Sequence, residues 1–371
     1  MLKMWRYRFL LLMCLLVLCN SVNGIAAEGN SWWLVSPELL KHANLEIVWQ
    51  TQLLWEQDES LKALHISANR IYAVSNRNYI VSMDREKGGV IFERPFAPLG
   101  FRIIGLEVYN DELFSVVGSE LVEVNLEFGT ERSNTPLEFG IVCPAARNSS
   151  CFYVSGTDGR MHVIRADDKV QLFEAAADND SMITSIIADD NFVIFGTEGG
   201  NVVSIKPDGP QRLWQFDAAG SIAGRIVRDG DSLFFASKDT NVYRVDIVDT
   251  SKREFVWKYQ TEAVLDKDPR VTPEVVYQHV RYKGLEAINR ESGKLMWEVP
   301  GGIDLLAETA GKAYVIAKGK LVVMDNKKAR RLYSVNFAGV SKYSANPGAP
   351  GDSKIYIANE AGRIACLKPL E

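Results

Sequence analysis

An aromatic residue set among apolar neighbours returns along the chain at Trp49, Phe92, Phe173, Trp214, Trp257, Trp297 and Tyr333, and Ser133 fills the one remaining place. Successive positions lie 36 to 43 residues apart. A period of that length suits a propeller blade of four strands. A second pattern keeps step with the first in "FYVSGTDGRMHVI" (152–164), "FVIFGTEGGNVVSI" (192–205), "LFFASKDTNVYRVD" (233–246) and "IYIANEAGRIACL" (355–367). Each is a β-branched or aromatic run, a tight polar turn and a second apolar run, the chemistry of a hairpin. Eight such hairpins are legible.

Helical periodicity is nearly absent. The exception is "SPELLKHA" (36–43), where Ser36 suits an N-cap and Pro37 the first helical position. The chain then opens with a single strand around Trp49 and ends one strand short of a full blade. A ring closes if the first strand completes the last blade, which leaves no open sheet edge. The expectation is an all-β fold, an eight-bladed β-propeller of four-stranded antiparallel blades over 45–371, preceded by an arm with a short helix over 28–44. The seven aromatics are read as blade-packing residues, each ring buried between neighbouring blades. Equivalent positions spread around a ring cannot all face one cofactor.

The start of the chain reads as an export signal. Lys3, Arg6 and Arg8 precede an apolar run from Phe9 to Cys19, eleven residues long, and "GIAA" follows. The run is shorter than the ~20 residues of a membrane-spanning helix, so 1–27 is assigned as a signal peptide and the mature chain as exported, periplasmic or outer-membrane-associated. A lipid anchor at Cys19 is the competing reading, against which stands Leu18 where such signals carry a small residue. Without 1–27 the formal charge of −5 becomes −8. Such an acidic chain has no nucleic-acid footprint. Cys143 and Cys151, eight residues apart, are candidates for a disulfide in an oxidising compartment. Cys366, within "IACL", reads as a buried apolar residue.

Catalytic patterns do not emerge. His42, His65, His162 and His279 are dispersed without metal-ligand spacing, and no nucleophile elbow or phosphate loop is present. The acidic loops "DKDPR" (266–270) and "DNDS" (178–181) lack an ordered alternation of oxygen ligands and read as solvated turns. "NKKARR" (326–331) reads as a solvated connection. Asn148 and Asn179 are glycosylation acceptors only in a eukaryotic host. No residue is assigned a catalytic, cofactor-binding or metal-binding role.

Two stretches carry a resemblance. "AINRESGKLMWEV" (287–299) and "SMDREKGGVIFER" (82–94) run from a strand through an Asp or Asn turn and a glycine to an aromatic on the outer strand. This resembles the quinoprotein-type (PQQ-like) propeller repeat. With the export signal and eight blades, the chain looks like the BamB-type outer-membrane assembly factors. The resemblance implies a non-catalytic envelope scaffold that binds protein partners, with the outer-membrane assembly machinery as the partner and no cofactor. Quinone-dependent dehydrogenases of the same superfamily carry adjacent cysteines and long insertions. This chain has neither. A quinone-dependent dehydrogenase-like protein and a ligand- or glycan-binding sensor remain the alternatives.

Overall fold

Strands in the middle of a blade are apolar on both faces because both faces meet a neighbouring blade. Arg70–Ser75 and Tyr79–Asp84 are buried at nearly every position, whereas Val90–Pro95, the last strand of the same blade, buries only Phe92. The sequence pattern of a long apolar run, a turn, a second run and a lone aromatic is thus the burial pattern of a blade.

The computed structural model describes residues 32–344 and 354–370. It forms eight four-stranded antiparallel sheets, seven of them in sequential strand order. Blades 1 to 7 span 61–95, 103–136, 146–176, 183–217, 222–260, 270–300 and 302–336. Blade 8 is made of Lys342–Ser344, Ile355–Ala358, Arg363–Pro369 and, outermost, Leu45–Gln52 from the other end of the chain. Each of eight buried clusters joins two successive blades, and the one holding Trp49, Tyr356, Ile71 and Met83 joins blade 8 to blade 1. The propeller is closed by its N-terminal strand. The expected signal peptide, Cys19 with it, and residues 28–31 of the arm lie outside the described residues.

The outer strands share a device the sequence did not reveal. Each slips register by one residue immediately before the repeating position, as between Ser82 and Met83 opposite Phe92 and between Ala287 and Ile288 opposite Trp297. A bulge bends the strand and re-aims the next side chain. The ring then meets the turn between the third and outer strands of the following blade. Trp49 Nε1 donates to the Arg85 carbonyl at 3.1 Å, Trp257 Nε1 to the Arg290 carbonyl at 2.8 Å and Trp297 Nε1 to Asn326 Oδ1 at 3.1 Å. These turns are closed by an Asp or Asn side chain accepting backbone N–H groups, as Asp84 Oδ1 does from Glu86 and Lys87. In the turns that Trp49 and Trp257 meet, a glycine sits under the ring, and in the turn that Trp297 meets Ala329 takes its place with φ 48°. A Cβ on Gly88 would stand 2.5 Å from the Trp49 ring, and one on Gly293 2.7 Å from the Trp257 ring.

Two positions of the series depart. Tyr333 is 40% exposed. The turn it would meet belongs to blade 8, where the third and outer strands come from opposite chain ends and no turn joins them. Helix α1 (Pro37–His42) covers that seam instead, and Leu40, Ala43 and Phe337 fill it. Between blades 2 and 3 the ring is replaced by Ser133 and the turn glycine by Lys169, with φ 61°. Lys169 lies 4.9 Å from the Phe152 ring centroid and pairs with Glu123, which also accepts from Ser133 Oγ. Arg147 joins this group, 4.6 Å from the Phe152 ring and 4.8 Å from that of Tyr109. A stacked ring has given way to ion pairs. Phe173, half-buried, is intermediate between the two cases.

The expected Cys143–Cys151 disulfide is not formed, and both are free thiols. The hairpin turns at Ser149–Ser150, so Cys151 lies opposite Asn148, whose N–H donates to the Cys151 carbonyl. Cys143 reaches the far end of the same strand, with its Sγ 3.1 Å from Ser155 Oγ. Four residues of strand separate the two sites by about 13 Å, too far for a bridge. Burial pushes the Cys143 thiol up to about 11.

Candidate functional site

The first strand of every blade is the inner one. Neighbouring inner strands touch one another, as those of blades 4 and 5 and of blades 8 and 1 do, and together they line the axis. Along the sequence these are the least regular strands, and they place charge in the channel. Arg225 of blade 5 pairs with Glu107 of blade 2 across the intervening blades. Arg270 of blade 6 donates to both carboxylate oxygens of Asp304 on blade 7, at 3.0 Å each, and to Asp268 at 3.2 Å. Burial alone would lower the pKa of Arg270, and the two aspartates outweigh it, so the group is held firmly charged. His65 of blade 1 is lowered by burial and then by the charge of Arg225, which keeps it neutral at pH 7. Burial likewise pushes Tyr343 of blade 8 up to about 12.

Ion pairs therefore line much of the channel. Among the described residues no three His, Cys, Asp or Glu side chains converge as a metal-ligand set. Asp266 and Asp268, from the acidic loop 266–270, face Arg281 and Arg270. Asp178, from the other acidic loop, pairs with Arg212. Asn148 is buried and its amide donates to Tyr153 Oη and the Asp189 carbonyl, so it is not presented as a sugar acceptor.

The face bearing the second-to-third-strand turns and the blade-to-blade loops displays apolar side chains. Leu54 and Tyr282 are 93% and 96% exposed, and Leu99 and Phe101 stand out from the loop between blades 1 and 2. That loop is held in place. The buried Asn78 amide donates to the carbonyls of Pro98 and Phe101, at 2.9 and 2.8 Å. Sequence reasoning missed this surface and the charged channel, since neither shows in a repeat.

Comparison with known proteins bears on which of these features matters. The family model described as "Outer membrane protein assembly factor BamB" matches residues 198–369, less than half of the chain. The chain is an eight-bladed propeller, and over those residues it resembles the BamB-type factors. The crystal structure of BamB from Moraxella catarrhalis superposes with a TM-score of 0.66 at 14% identity, covering 87% of this chain and 97% of that one. The computationally designed Ika8 protein superposes with a TM-score of 0.64, also at 14% identity, covering 84% and 96%. A designed protein fits this fold as well as a natural assembly factor does, so the superpositions establish the ring and nothing about its work. No curated protein matches by sequence. No helix among the described residues is long and apolar enough to cross a membrane.

Proposed function

We propose that the chain is a non-catalytic scaffold of the cell envelope that docks a protein partner of the outer-membrane protein assembly apparatus. The observation that carries this reading is the family match over 198–369, whose printed description is of an assembly factor. The geometry supports it. A closed ring holds its loops in fixed positions, so a partner meets a surface already ordered and little entropy is lost on docking. The Asn78-clamped loop with Leu99 and Phe101 is such a surface, and exposed apolar groups of this kind mark protein contacts.

The test is a mild crosslink and pull-down from envelope fractions with the chain and with Leu99→Glu/Phe101→Glu. Capture of a barrel-assembly subunit, lost in the double variant, is the expected result. Recovery of polysaccharide-processing enzymes alone overturns the assignment and leaves the fold intact.

A further inference from the structure

Two inner strands break their ladders at a glycine in the left-handed region. Gly105 has φ 73° and Gly224 φ 70°. Register slips there, between Ile104 and Glu107 in blade 2 and between Ala223 and Val227 in blade 5. A Cβ on Gly105 would stand 2.6 Å from Pro144 Cβ, and one on Gly224 2.6 Å from the Asp268 nitrogen. Neither position accepts a side chain. Bulges are found where a strand must aim a side chain at a site, and these two turn Glu107 and Arg225 toward each other. Arg225 Nη2 donates to Glu107 Oε1 at 2.5 Å although 118 residues separate them.

Beside this pair lies a cavity of about 260 Å³ bounded by the inner strands of blades 2 to 5. Tyr109, Ile186 and Ile187 give it apolar wall, and Arg147, Thr184 and Arg225 line the rest. Arg147 Nε and Thr184 Oγ1 are buried without a hydrogen-bond partner among the described residues. A buried donor left unpaired costs about 1–3 kcal/mol, and two of them share this one wall. Arg147 already pairs through Nη1 with Glu112 and Glu123, and Arg225 with Glu107. Arg147 Nε, the Thr184 hydroxyl and Arg225 can still donate into the cavity, so the group that fits them is an acceptor, and beside two guanidinium groups an anionic one. The volume falls below the ~300–1,000 Å³ of drug-sized sites, which sets the ligand as small.

We propose that this cavity binds a small apolar monocarboxylate. Its carboxylate accepts from Thr184 Oγ1, Arg147 Nε and Arg225, and its hydrocarbon end lies on Ile186 and Ile187. Glu107 competes with the ligand for Arg225, so the site is of modest affinity as built and tightens when that competitor is neutralised. The site is independent of the scaffold reading, because it faces the channel and not the loop face.

The experiment titrates 4-methylvalerate into the purified chain by calorimetry, with 4-methylvaleramide as the uncharged control. Saturable one-to-one binding of the acid is expected, with the amide bound at least about tenfold more weakly, the loss of one charge-assisted hydrogen bond. Arg225→Gln and Thr184→Val should each weaken the acid, and Glu107→Gln should tighten it. Arg225 is 54% exposed at its side chain, so its variant should melt as the wild type does, which separates lost binding from lost fold. No saturable binding of the acid at millimolar concentration overturns the proposal. So does equal binding of acid and amide, or an affinity unchanged by Arg225→Gln and Thr184→Val together.

Discussion

Truncating Trp297 and Tyr333 to alanine should give opposite results, though the repeat sets both at the same place in the blade. Trp297 is 6% exposed, and its ring centroid lies 5.7 Å from that of Tyr277. Its Nε1 donates to Asn326 Oδ1, the Asn326 amide donates to Tyr277 Oη, and Tyr277 Oη donates to Glu308 at 2.6 Å. Trp297→Ala removes a buried ring from the interface of blades 6 and 7, a loss of about 3–5 kcal/mol. It also strands the Asn326 oxygen, which places the loss toward the upper end. Trp297→Phe keeps much of the packed area and loses the hydrogen bond, a loss of about 1–3 kcal/mol. Tyr333 is 40% exposed and meets no turn, so Tyr333→Ala should cost about 1 kcal/mol or less. Urea unfolding followed by circular dichroism reads all three. Equal losses at Trp297 and Tyr333, or an unchanged midpoint in Trp297→Ala, would refute the argument that the next blade's turn makes the ring structural.

Gly293→Ala should lower the melting temperature more than Gly301→Ala. Both have φ near 70°, but only at Gly293 would the Cβ strike the Trp257 ring, whereas nothing lies within 4 Å at Gly301. The Glu112 carboxyl is held below its ordinary range, since burial would raise it and hydrogen bonds from Arg147 and Arg132 overcome that. A carboxyl lowered on folding stabilises the fold above its unfolded pKa of about 4.3 and gives this up as pH falls through the folded value. Glu112→Gln should therefore destabilise at pH 7, and melts of variant and wild type should draw together as the pH falls from about 4.3 through the lower folded value. Cys143 and Cys366 are buried thiols, pushed up to about 11 and about 12 by burial. Mass spectrometry without reductant should find them and Cys151 free, and alkylation should be slow until the chain is unfolded. Loss of two hydrogen masses at Cys143 and Cys151 would contradict the hairpin register.

The blade count, the four-stranded unit and the closing strand were legible because burial in a propeller is repetitive. Residues such as Ile71, Tyr72 and Ala73 are apolar for the same reason in every blade. What the repeat hid lies where it is broken. Ser133 read as a weak member of the series, and only the structure shows that Lys169 replaces the partner glycine and an ion-pair seam replaces the ring. Tyr333 matched the pattern well, yet its partner turn falls where the chain ends meet, and the pattern carries no information about that. The disulfide reading failed on register. Eight residues of separation suits a bridge only if the turn lies midway, and Asn148 pulls the turn toward Cys151. The Arg225–Glu107 pair joins blades far apart in sequence, and nothing local to either residue announces it.

The central claim is that this ring works by holding an assembly partner and not by chemistry. Its most direct test is a titration of the purified chain against the periplasmic domains of the barrel-assembly subunit from the same organism, followed by surface plasmon resonance. The account predicts saturable binding that Leu99→Glu/Phe101→Glu abolishes while Arg225→Gln leaves it unchanged. No binding to that subunit, together with a quinone absorbance band acquired on incubation with quinone and Ca²⁺, would contradict it.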